Sequence, residues 1–133
     1  MKLHEAARNY LGTPFLHRGR GAQGMDCGGL LLASLRDIGL IARDLGLYNP
    51  TLRNGILQDA LERCEFFTRV RTNAPQVDDV LLFRFHNEPQ HLAICCGGTM
   101  IHATSKNNAV VEHRLSGSWL RSLVCTYRLK QYG

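Results

Sequence analysis

"GMDCGGLLLASLRDIG", residues 24–39, decides how this chain is read. From Leu30 to Ile38 the apolar residues recur at helical spacing, and Gly39 is a natural stop, so the stretch predicts a helix. Its first turn is poorly made. Gly28 and Gly29 stand there, each costing up to about 1 kcal/mol relative to alanine, with Cys27 and Asp26 directly before them. A thiol at a helix start is favoured as thiolate by the unpaired N–H groups and the helix dipole. Small neighbours leave room for an extended substrate, and the backbone N–H groups can cradle an oxyanion. Tight packing of the helix on a sheet accounts for the glycines equally well.

Working outward, helical character fills the first half. Leu3–Leu11 reads as an amphipathic helix ended by Gly12 and Pro14; the loop "FLHRGRGAQGM" (15–25) leads into the central helix, and "NGILQDALERC" (54–64) is a third. The second half changes period. "DDVLLFRF", "HLAICC", "TMIHA", "AVVEHRL" and "SLVCTYRL" are short, β-rich and separated by turn signals such as "HNEP", "GG" and "KNN". Helices followed by an antiparallel meander of about five strands make an α+β fold, read as one domain over residues 1–133.

The hairpin at Gly97-Gly98 permits a register to be counted. A two-residue loop pairs Cys96 with Thr99 and sets Ala93 opposite His102. Side chains alternate, so His91, Ala93 and Cys95 share a face with Met100, His102 and Thr104, and His91 becomes the diagonal neighbour of His102. Leu92, Ile94, Ile101 and Ala103 take the core-facing side. An imidazole beside a thiol can accept its proton and pass it to a leaving amine, and a second histidine can orient the first. Cys27, His91 and His102 supply these three parts: nucleophile, base and orienting group.

Composition narrows the classes. The 133 residues carry a formal charge of +5, mostly as arginines scattered from Arg8 to Arg128. They form no run and no aromatic-interleaved stripe, which argues against direct nucleic-acid binding, while a mildly basic surface suits an anionic partner. No apolar run approaches the roughly 20 residues that span a bilayer, so no membrane insertion is expected. "MKLHEAARNY" lacks the apolar core of a signal peptide, and export by general secretion is not expected. Apart from Cys27, the five cysteines (Cys64, Cys95, Cys96 and Cys125 being the rest) read as small buried apolar residues without a disulfide rhythm. No closely spaced ligand pair is matched by a second, so no metal and no cofactor is expected.

Three blocks in order carry a family resemblance: "YLGTPFLHRGRGAQGMDCGGLL" (10–31), "VDDVLLFRF" (77–85) and "QHLAICCGGTMIHA" (90–103). They resemble the NlpC/P60 family of papain-like cysteine peptidases. The resemblance implies a papain-like fold, N-terminal helices packed on a mostly antiparallel sheet, with Cys27 as nucleophile, His91 as base and His102 as third polar residue. It implies cleavage of peptidoglycan stem peptides, with Asp26, Gly28, Phe15 and His17 at substrate-binding positions. Asp26 either holds a substrate amine or caps the helix. Four positions depart from the family pattern: Gly28 replaces a serine, Phe15 a tyrosine, His17 a tryptophan and Val77 a glycine.

"DDVLLFRF…PQHLAI…MIHA…VVEHRLSGSW" is also similar to small NlpC/P60 proteins in the tail modules of siphophages and gene transfer agents. That likeness implies a virion component at the tail tip, made in the bacterial cytoplasm and packed against other tail-tip proteins, aiding passage through the cell wall and DNA delivery. The alternatives are a mainly structural tail-tip protein with a vestigial or gated site, and a cytoplasmic muropeptide-recycling peptidase. An acyltransferase ranks below these, because cysteine precedes histidine here, unlike the order in permuted relatives.

Overall fold

The structure, a computed structural model, describes residues 1–42, 56–85 and 88–130. In chain order the elements are α1 (Leu3–Arg8), β1 (Arg20–Gly21), β2 (Gly24–Met25), α2 (Cys27–Asp37), α3 (Ile56–Arg63), β3 (Phe67–Val70), β4 (Val80–Phe85), β5 (Glu88–Cys95), β6 (Thr99–Thr104), β7 (Ala109–Arg114), α4 (Gly117–Arg121) and β8 (Leu123–Leu129). The fold is α+β. Its main sheet has six strands rather than about five, in the order β3-β8-β4-β5-β6-β7, and β1 and β2 form a separate small ribbon. All strand pairs in the main sheet are antiparallel.

Strands β4 to β7 form the expected meander, but β8 does not extend it. The chain leaves the β7 edge, passes through α4 and returns to lie between β3 and β4, pairing Val80 with Tyr127 and Phe67 with Leu129. Four short elements depart from the sequence expectation, two of them β1 and β2, which lie in the expected loop over 15–25. Strand β3 exposes Thr68 and Arg69, so it carries little apolar alternation, and α4 is a single short turn of helix. Helix α1 ends at Arg8, with turns carrying the chain to Leu11. Of the third predicted helix, Asn54 and Gly55 lie outside the described residues.

The main core lies between the helices and one sheet face. Leu30 and Leu35 of α2, Leu57 and Leu61 of α3, and Leu3 and Ala7 of α1 pack on Leu82, Leu92, Ile94, Ile101 and Val110. The opposite face carries a smaller apolar cluster of Leu81, Phe83, Ala93, Cys95 and Met100, covered by Leu115, Trp119 and Leu123. Both faces of β4 are therefore buried, which explains its unbroken apolar run "VLLF". The start of β4 is pinned by Asp79, which is 1% exposed and accepts two hydrogen bonds from Arg128, each 2.9 Å.

Candidate active site

Asp26 builds the first turn of α2. Its Oδ1 accepts from the Gly29 N–H at 2.8 Å and from Arg20 Nη1 at 3.0 Å, and its Oδ2 accepts from the Arg18 N–H at 2.9 Å. Arg18 adopts a left-handed backbone, φ 65°, in the loop whose N–H it presents to that carboxylate. The residue is 3% exposed. With both oxygens engaged, Asp26 caps the helix and ties down the preceding loop. Asp26→Ala should lower stability by about 2–3 kcal/mol, from the lost cap and the partly buried Arg20 left behind. Urea unfolding followed by circular dichroism checks this; a change below about 0.5 kcal/mol, the scale of an ordinary surface substitution, would contradict it.

The glycines divide in role. A Cβ on Gly29 would collide with the Gly19 carbonyl oxygen, so that glycine is required by close approach of the loop to the helix. Gly28 is buried beside Cys27. Phe15 and His17 are half-buried in the strap leading to the helix. This strap is held by a parallel bridge between Phe15 and Met25, by the Phe15 N–H donating to the Asn108 carbonyl at 3.0 Å, and by the Leu16 N–H donating to the Met25 carbonyl at 3.1 Å.

Cys27 opens α2 and is 5% exposed. Its sulfur meets the main chain of Leu92, the residue after His91, and those of Gly28 and Cys27 itself; these contacts favour the thiolate. Burial outweighs them, and with the neighbouring Asp26 charge it pushes the thiol pKa up to about 12. The helix start alone suggests an acidic thiol; in the folded protein the resting sulfur is a neutral thiol.

The hairpin register is the expected one, with Ile94 paired to Ile101 and Cys95 to Met100. His91 Nε2 lies 2.6 Å from His102 Nδ1. Burial, reinforced by His102 and His113, lowers the His91 pKa to about 3; burial and His113 lower that of His102 to about 4. Both rings are neutral at neutral pH. The unfolded chain, with ordinary histidines, binds more protons below about pH 6.5, so acid weakens the fold as pH falls from there toward 4.

Sequence reasoning missed His113 and Trp119. His113 Nε2 lies 2.7 Å from His102 Nε2, and His113 Nδ1 lies 2.9 Å from the Arg114 carbonyl oxygen. Trp119 of α4 packs over the row, its ring centroid 6.1 Å from that of His91, 5.3 Å from His102 and 5.6 Å from His113. Among the described residues no group of His, Cys, Asp and Glu is arranged to hold a metal ion.

A cysteine that opens a helix, together with a row of bonded histidines on the antiparallel sheet against which the helices pack, defines a papain-like α+β domain. The chain belongs to the NlpC/P60 family, whose sequence model matches residues 12–128. Among solved structures it is similar to the NlpC/p60 domain of the peptidoglycan hydrolase SagA, at 22% identity and TM-score 0.64 over 95% of each chain. It is similar to an NLP/P60 family protein from Staphylococcus aureus, at 19% identity and TM-score 0.72, covering 98% of this chain and 41% of that one. A third is the peptidoglycan hydrolase RipB of Mycobacterium tuberculosis, at 16% identity and TM-score 0.68, covering 98% of this chain and 64% of that one. The chain thus spans about two fifths of the staphylococcal protein's length. Comparison with curated protein sequences finds no match.

Proposed function

We propose that this protein is a cysteine endopeptidase that hydrolyses peptide bonds in peptidoglycan stem peptides. The observation that carries the reading is the 2.6 Å bond between His91 and His102, on strands that also bring the main chain of Leu92 to the Cys27 sulfur. Family membership supports it, as do the names of two structural neighbours, both peptidoglycan hydrolases.

His91 Nε2 is engaged by His102, and in this reading Nδ1 acts as the base. The neutral thiol transfers its proton to Nδ1 as sulfur attacks the peptide carbonyl, forming the C–S bond. Main-chain groups at the start of α2 stabilise the developing oxyanion. The protonated His91 gives the proton to the leaving amine as the C–N bond breaks. Water, deprotonated by His91, then attacks the thioester, releasing the new carboxylate and restoring the thiol. Defined soluble muropeptides read by mass spectrometry test this. New amine and carboxyl termini within the stem are expected; cleavage confined to glycosidic bonds, or none, would overturn it.

A second proposal concerns place. The likeness of residues 78–119 to small tail-module members supports a tail-tip component of a phage or gene transfer agent, where attachment raises the local concentration of the peptidase at the wall. Proteomics of purified particles tests it. Absence from particles, together with turnover of free muropeptides, favours the recycling peptidase instead.

A further inference from the structure

Three histidines cross three adjacent strands on one diagonal, eleven residues apart at each step: His91 on β5, His102 on β6 and His113 on β7. The register shows why they meet. On β6 and β7, Met100 pairs with His113 and His102 with Val111, so His102 and His113 are diagonal neighbours on one face. The same offset relates His91 to His102 across the Gly97-Gly98 turn. Glu112, the residue before His113, points the other way and pairs with Arg8 and Thr99. The charges that act on His91 and His102 are accordingly those of the other histidines.

The far end of this row has a fixed polarity. A backbone carbonyl only accepts, so the 2.9 Å contact with the Arg114 oxygen makes His113 Nδ1 a donor. In a neutral ring that leaves His113 Nε2 as an acceptor, and His102 Nε2 must then donate to it. His102 Nδ1 is in turn an acceptor, and His91 Nε2 must donate. The one arrangement of neutral rings that satisfies all three contacts places the His91 lone pair on Nδ1.

We infer that His113, anchored on the Arg114 carbonyl, is a positioning residue for the proposed peptidase: through His102 it fixes the tautomer of His91 that leaves Nδ1 able to accept the Cys27 proton. The inference rests on the peptidase reading for its consequence but not for its geometry. Without His113, His102 is free to carry its proton on Nδ1 and donate toward His91 Nε2. His91 would then carry its own proton on Nδ1, where it cannot act as a base. Trp119 packs over all three rings, and the His91–His102 contact beneath it is buried, where little water competes for its nitrogens.

Ring-nitrogen NMR at neutral pH reads the tautomers directly. In the wild type the proton should lie on Nε2 of His91 and His102 and on Nδ1 of His113. His113→Phe, which cannot accept, should shift His91 toward the Nδ1–H form and lower kcat about 3–10-fold with KM unchanged, the worth of one neutral hydrogen bond. His113→Gln places an amide oxygen where Nε2 lies and should restore both the His91 tautomer and most of kcat. A wild-type His91 protonated on Nδ1 would overturn the inference. So would a His113→Phe spectrum in which His91 and His102 are unchanged, or a loss of activity that His113→Gln does not repair. The spectrum decides the polarity of the row whether or not the protein cleaves a stem peptide, so the two proposals fail separately.

Discussion

Cys27→Ala should reduce stem-peptide cleavage by about ten-thousand-fold or more while the protein stays folded. The thiol is the only group proposed to bond to the substrate, and backbone N–H groups alone cannot replace a lost nucleophile. Removal of a small side chain from a first helical turn, with Asp26 still capping Gly29, leaves the packing of α2 largely intact. Muropeptide digestion followed by mass spectrometry, with circular dichroism to confirm folding, checks this. Activity within tenfold of wild type would mean that another group attacks.

His91→Ala should be nearly as damaging, about a thousand- to ten-thousand-fold in kcat, whereas His102→Ala should cost roughly a hundredfold at most. His91 handles the proton in both halves of the reaction; His102 sets its orientation and tautomer. Equal losses in two folded variants would exchange or merge these roles. The wild-type pH profile carries a related expectation. With the His91 pKa lowered to about 3 and the Cys27 pKa raised to about 12, the reactive pair is neutral thiol and neutral imidazole across the ordinary range. Folded enzyme should therefore show a flat kcat/KM between about pH 6 and pH 9, with no limb near the usual histidine value of about 6.5. A clear half-activity point at pH 6.5 in fully folded protein would show instead that His91 titrates normally.

Much of this site was legible because two local rules act without tertiary help. The helix was readable from leucine spacing and the Asp26–Gly29 start. The His91–His102 contact followed from a two-residue turn and strand alternation, which together leave one register. His113 follows the same alternation, yet the turn over 105–108 is longer and does not fix a register by counting. The sixth strand was hidden because β3 is short and buries only Phe67 fully, so its apolar signal is a single residue. The insertion of β8 between β3 and β4 is a long-range choice that no local pattern encodes. The thiol shows the same limit in electrostatic form. Its place at the helix start is written in the sequence, but the burial that overrides the helix dipole belongs to the assembled fold. The capping half of the Asp26 reading was local enough to be legible, and the structure adds the Arg18 and Arg20 donors that the sequence did not point to.

The role of Cys27 is the central claim, and the presence of four other free cysteines makes a direct measurement possible. The protein is inactivated in steps with iodoacetamide, and at each step residual muropeptide cleavage is compared with the fraction of every cysteine alkylated, read by peptide mapping. The account predicts that activity falls in one-to-one proportion to alkylation of Cys27, whatever the order in which Cys64, Cys95, Cys96 and Cys125 react. Full activity in protein whose Cys27 is alkylated, or a loss that follows Cys125 or Cys95 instead, would contradict it.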